Sequence, residues 1–147
     1  MTHYLPPTTT DSRMNALVRW LTDHGFSLAG AQTLTVIGRT SGAPQRIPVN
    51  PLVLDGVEYL VAVRGATQWV RNARVAGSGE LRRGRRSRRV VLVEVPAADR
   101  AAIIRRYLDK WGWEVGRFLP EGLGVDATEA QLAEHAEQIP VFAVSAA

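Results

Sequence analysis

The pair Asp55-Gly56 sits between two apolar, alternating runs and limits this chain more than any other short feature. Both residues tolerate the positive φ that a two-residue type I′ turn demands, so the flanking runs read as the arms of an antiparallel hairpin. Upstream, Gly38-Arg39-Thr40-Ser41-Gly42 followed by Ala43-Pro44 marks a longer turn. Three strands are therefore expected, over residues 34–37, 46–54 and 58–63. Arg39 ends the first and Arg46 opens the second, so a hairpin is expected to bring their guanidinium groups together. Paired guanidinium groups beside backbone N–H groups of a glycine-bearing loop form an anion cradle. The same residues also fit two solvated arginines beside an ordinary turn, and local features leave both readings open.

The length of 147 residues bounds the chain to one domain, read as a flexible N-terminal arm over residues 1–12 and a folded domain over 13–147. The arm, rich in Pro and Thr, has neither the charged nor the apolar segment of a signal peptide. Asp11 or Ser12 then caps a short helix with Met14, Leu17, Val18 and Leu21 on one stripe, ended by Gly25. The absence of cysteine excludes disulfides, thiolate metal sites and cysteine nucleophiles. His3, His24 and His135 lie far apart without metal-ligand spacing, so no metal site is expected. A formal charge of +4 and a pI near 10.3 favour anionic partners, although Lys110 is the single lysine and the arginine bias also fits a GC-rich coding sequence.

After the third strand, Arg64-Gly65-Ala66 leads into a helix with Thr67 as N-cap and Trp69, Val70, Ala73 and Val75 on or near one face. A helix N-terminus beside glycine suits a phosphate, because its N–H groups are unpaired and the dipole end is positive. Residues 82–89 hold six arginines around Gly84, which reads as a hairpin with a basic tip. No aromatic residue interleaves them, so a solvated tip is preferred to a nucleic-acid site. A helix is expected from Pro96-Ala-Ala-Asp99 to about Lys110, then an aromatic segment with Trp111, Trp113 and Phe118. A further helix over 129–138, capped by Asp126 or Thr128, and a closing strand over 139–144 complete the chain. Neither a Ser-His-Asp order nor a GxGxxG after a first strand is present, which leaves hydrolase and Rossmann readings without support.

The ordered set of Thr35-Val-Ile-Gly-Arg-Thr-Ser-Gly42, Arg46, Pro48, Asp55-Gly56, Arg64-Gly65-Ala66 and Trp69-x-x-Asn72 resembles the deazaflavin-dependent nitroreductase family, a branch of the split β-barrel flavin and deazaflavin oxidoreductases. The resemblance spans roughly residues 15–144 and is most specific over 33–72. It implies an α+β, single-domain split β-barrel of about six mainly antiparallel strands flanked by three or four helices. It also implies the deazaflavin coenzyme F420 of actinobacteria and methanogens, with FMN as the alternative, and hydride transfer to an electron-poor small molecule bearing an activated C=C or a nitro group. Carried over by position, it assigns cofactor contacts to Arg39, Thr40, Ser41, Gly42, Arg46, Pro48, Val49, Arg64, Gly65, Ala66, Gln68 and Trp69. Substrate contacts fall to Trp111, Trp113 and Phe118, with solvent or Tyr107 as proton donor. Family members often carry a longer, lysine-containing loop with two glycines at 64–66 and tyrosines near the substrate; this chain has Arg64, one glycine and tryptophans. The implied setting is cytoplasmic, with a small-molecule substrate and no specific nucleic acid. Peripheral membrane contact, the choice between monomer and homodimer, and a non-catalytic apolar-ligand binder stay open.

Overall fold

A computed structural model describes residues 32–147. The arm expected over residues 1–12 and the helix carrying Met14, Leu17, Val18 and Leu21 lie outside the described residues. Seven strands, β1 (Gln32–Ile37), β2 (Pro44–Val49), β3 (Leu52–Leu54), β4 (Val57–Val61), β5 (Ser78–Arg83), β6 (Arg86–Glu94) and β7 (Val141–Ala146), form one antiparallel sheet. Its order is β2-β1-β5-β6-β7-β4-β3. Three α-helices are described, α1 (Gln68–Ala76), α2 (Ala101–Val115) and α3 (Glu129–Glu134), with short 3-10 turns around them. The fold is an α+β split β-barrel.

Local chemistry accounts for the hairpins. Asp55 (φ 51°) and Gly56 (φ 78°) both adopt positive φ between β3 and β4, the backbone of a type I′ turn. Gly84 (φ 61°) occupies the first central position between β5 and β6, as a type II′ turn requires. The run expected as one strand over 46–54 is two, because Pro51 has no N–H to donate and the ladder stops at Val49. That break raises the strand count from six to seven. It also puts β2 and β3 at opposite edges of the sheet while only Asn50 and Pro51 connect them. Two residues span at most about 11 Å, so the sheet must curl until its edges approach each other.

Side-chain alternation then divides the core. Leu34, Val36, Leu60, Leu81, Val90, Leu92, Phe142 and Val144 line the inside of the curl, closed by Val70 and Ala73 of α1. Leu52, Val61 and Val141 face outward and pack against Ile104, Tyr107, Leu108 and Trp111 of α2 and Leu132 of α3. The α2 helix begins at Ala101, after a 3-10 turn over Ala97–Asp99, and runs on through Trp111-Gly112-Trp113 to Val115, five residues beyond the expected end. Gly112 lets it continue against the following loop, since a Cβ there would stand 3.3 Å from Val125. The α3 helix is shorter than expected; Thr128 and Gln131 cap it reciprocally, and it gives way after Glu134 to a 3-10 turn over Ala136–Gln138.

One charged strut crosses between the two cores. Arg74 at the end of α1 grips Glu94 of β6 through Nε and Nη2 (2.9 and 2.8 Å). Arg100, 7% exposed, donates to the same carboxylate at 3.1 Å and to the carbonyls of Val95 and Ala136. Burial pushes the Arg100 guanidinium down from its ordinary range against the pull of Glu94, and the Glu94 hydrogen bond pushes Arg74 up.

Candidate functional site

The glycine turn after β1 is built by its own backbone. Gly38 donates to the Ala43 carbonyl (2.8 Å), Gly42 donates to the Gly38 carbonyl (2.9 Å), and Ala43 donates to the Ser41 hydroxyl (3.2 Å). Gly42 sits at φ 71°, where an L side chain is strained, and a Cβ at Gly38 would stand 2.7 Å from Ser41 Oγ, so the hydroxyl that accepts from Ala43 would have to move. The Arg39 amide goes elsewhere, to Asn72 of α1. Within this turn the amides of Thr40 and Ser41 then make no hydrogen bond with a described residue. Adjacent free N–H groups beside an αL glycine are the elements of an anion-binding nest.

Asn72 fastens that turn to α1. It is 4% exposed, and its Oδ1 accepts from the Arg39 amide at 3.0 Å and from Arg39 Nη1 at 2.8 Å. A buried amide oxygen is thereby doubly satisfied, by the backbone and the side chain of one residue. Asn72 lies about 6 Å along the axis from Gln68, the first helical residue, so the turn rests against the first turn and a half of α1. At that helix start Gly65 adopts φ 87°, Thr67 takes the N-cap position, and Thr67 Oγ1 is buried without a hydrogen-bond partner among the described residues. Trp69 packs on the inner core with its ring 5.7 Å from Phe142, tilted by 48°. Val49 and Ala66 join the same cluster.

Other expected site residues are distributed differently. The register pairs Arg46 with Thr35, four residues before Arg39, so the hairpin does not set Arg46 beside Arg39. The six-residue turn over 38–43 pushes Arg46 down the strand, and Asn72 takes the Arg39 guanidinium. Arg46 and Pro48 alternate with Ile47 and Val49 and take the strand face away from the inner core. Arg64 stacks over Phe118 at 3.7 Å from the ring centroid, tying the loop before α1 to the 3-10 turn after α2. Trp111 and Tyr107, the latter 4% exposed, belong to the outer cluster with α2. Trp113 is 75% exposed, and its indole N–H donates to the Lys110 carbonyl. Of the three aromatics expected to contact substrate, Trp111 and Phe118 thus pack in the same outer cluster, while Trp113 stands apart on the surface. Asn72 is the residue that sequence reasoning left out of the site, although the Trp69-x-x-Asn72 spacing had drawn attention to it.

The chain matches no family model and no curated protein. Solved structures do resemble it. One, a domain-swapped dimer, is 18% identical with a TM-score of 0.56 and covers 92% of this chain and 94% of its own. An F420-H2 dependent reductase (FDR-A) is 16% identical with a TM-score of 0.52, covering 79% of this chain and 94% of its own. A NimC/NimA family protein from Clostridium acetobutylicum is 13% identical with a TM-score of 0.51, covering 86% and 78%. Likeness at these identities is likeness of fold, and the fold is one that F420-dependent reductases use.

Proposed function

We propose that this protein is an oxidoreductase of the F420 type, with the cofactor's anionic end held between the 38–43 turn and the start of α1. The observation that carries the reading is the double hydrogen bond from Arg39 to Asn72, which fixes a turn with two free amides against a helix N-terminus. The residues present fit such a group: among the described residues the Thr40 and Ser41 amides have no acceptor, Thr67 Oγ1 is buried without a partner, and no atom lies within 4 Å of where a Gly42 Cβ would be. When bound, the deazaflavin supplies a two-electron hydride to an electron-poor acceptor with an activated C=C bond or a nitro group. Thr40 and Ser41 donate their amides to the anionic group, and the positive end of α1 favours its charge. Trp69, backed by Phe142, offers a rigid apolar wall that keeps water from one side of the site. Tyr107 is buried in the other core, so the proton is taken from solvent.

Fluorescence-quench titration tests the reading. Oxidised F420 is expected to bind more tightly than FMN, with affinity falling as salt rises, because partly exposed charge contacts are screened over about 8–10 Å at physiological ionic strength. Equal affinity for the two cofactors, or none for F420, refutes it. Enone reduction by the loaded protein then separates an enzyme from a binding protein.

A further inference from the structure

The arginine-rich hairpin lies at the other end of the sheet from the site just described. Thr33 pairs with Arg82 and Thr35 with Glu80, so the β5-β6 turn stands beyond the start of β1 while the 38–43 turn stands beyond its end. Six strand residues separate them, about 20 Å. The tip arginines therefore form a surface of their own.

Two arginines at this tip are neutralised or engaged locally. Arg88 donates to Glu58 of β4 at 2.7 Å, and Arg82 Nε donates to the Gly84 carbonyl at 2.8 Å. The side chains of Arg83, Arg85, Arg86 and Arg89 are exposed and make no hydrogen bond or ion pair with a described residue. Arg83 and Arg86 are direct register partners across the turn, a like-charge pairing that weakens a hairpin unless an anion neutralises it. The Arg88–Glu58 ion pair also ties this hairpin to the β3-β4 hairpin, whose turn is at the same end of the sheet. There Val53, the register partner of Glu58, is 64% exposed, and Val57 is 40% exposed. Asp55 is the carboxylate in that second turn.

We propose that this end of the barrel docks on an anionic lipid surface, with Arg83, Arg85 and Arg86 at the headgroups and Val53 and Val57 against the acyl boundary. Charge complementarity selects an anionic partner, and the exposed valines select lipid over nucleic acid. Arginines alone would suit phosphodiesters, but this tip has no aromatic ring for bases to stack on and two apolar side chains that a polynucleotide would leave unused. The protein would thus lie on the membrane without crossing it; no helix among the described residues is long and apolar enough to cross.

The experiment is flotation of the full chain with vesicles of phosphatidylcholine alone or mixed with phosphatidylglycerol, beside a filter-retention assay with duplex DNA. Binding is expected only to the phosphatidylglycerol vesicles. The R83S/R85S/R86S variant is expected to lose affinity roughly fivefold per arginine, about a hundredfold together. Val53→Ser, which leaves charge untouched, is expected to weaken vesicle binding several-fold without altering DNA retention. Arg85→Glu, a single change at the turn, repeats the charge test should the triple variant not fold, and circular dichroism checks each variant. Equal binding to both vesicle types, a triple variant or R85E that binds as before, or a V53S variant without effect overturns the proposal. DNA retention tighter than vesicle binding and lost in the arginine variants overturns it in favour of a nucleic-acid site. None of these results depends on F420.

Discussion

Asn72→Ala removes one oxygen that accepts two hydrogen bonds from a single residue. The amide bond at 3.0 Å is a neutral contact worth about 1 kcal/mol, and the guanidinium bond at 2.8 Å is charge-assisted and worth roughly 1.5–3 kcal/mol. Their sum is an upper bound, because Arg39 sits in an exposed turn and both of its donors regain water once Asn72 is gone. Halving it for that rehydration leaves about 1–2 kcal/mol, or a fall in Tm of roughly 3–6 °C for a domain of this size. The loss should be local as well as global. Hydrogen exchange at the Arg39 amide is expected to speed up about tenfold or more, with smaller effects at Gly42 and Gly38, and F420 affinity should fall with it. Asn72→Asp keeps the acceptor and adds a charge facing the guanidinium, so the turn should stay protected. If N72A melts lower while Arg39 exchange is unchanged, Asn72 is a packing residue and the docked turn owes nothing to it.

Arg39→Ala is expected to weaken F420 binding about ten- to hundredfold by titration, and Arg46→Ala less, since the register sets Arg46 four positions back from the turn. The reverse order would return the anion contact to β2. Phe142→Ala, at a residue 1% exposed beneath Trp69, should cost about 3–5 kcal/mol by urea denaturation. Gly79→Ala is expected to destabilise by about 1–3 kcal/mol in thermal melts, because its Cβ would stand 2.7 Å from the Thr35 carbonyl oxygen, a backbone atom that cannot move aside. Glu94→Gln leaves Arg74 and the buried Arg100 without their shared carboxylate, and a loss of about 1–3 kcal/mol is expected; a change of a few tenths would mean that the carbonyls of Val95 and Ala136 hold Arg100 unaided.

What the sequence made legible was local. Asp55-Gly56, Gly84 and Thr128 announce their turns and cap because each needs only its own backbone and one or two neighbours. The basic hairpin and the helix after Gly65 follow from equally short signals. Pro51 was visible, but its effect was not, since splitting a strand matters only when the two pieces join different edges. The extension of α2 through Trp111-Gly112-Trp113 depends on Val125 filling the space that Gly112 leaves, a contact made by tertiary packing. The site showed the same division. Its glycine turn and helix start could be read in order along the chain, whereas the Arg39 to Asn72 bond joins residues 33 apart and has no periodicity to announce it. Where Arg46 falls relative to Arg39 depends on how many residues the turn consumes before pairing begins at Pro44, and no local signal counts them out.

The seam at Asn50-Pro51 bears on how copies of this chain behave in a crowded solution. A sheet edge is an invitation to foreign strands, and among the described residues this sheet has two, β2 and β3. One is blunted by Pro44 and Pro48, which have no amide hydrogen to offer, and the other is three residues long, too short to template much of a ladder. A chain cut at this seam would keep every hydrogen bond of its ladder yet lose the tether that keeps the two edges within about 11 Å of each other at that point.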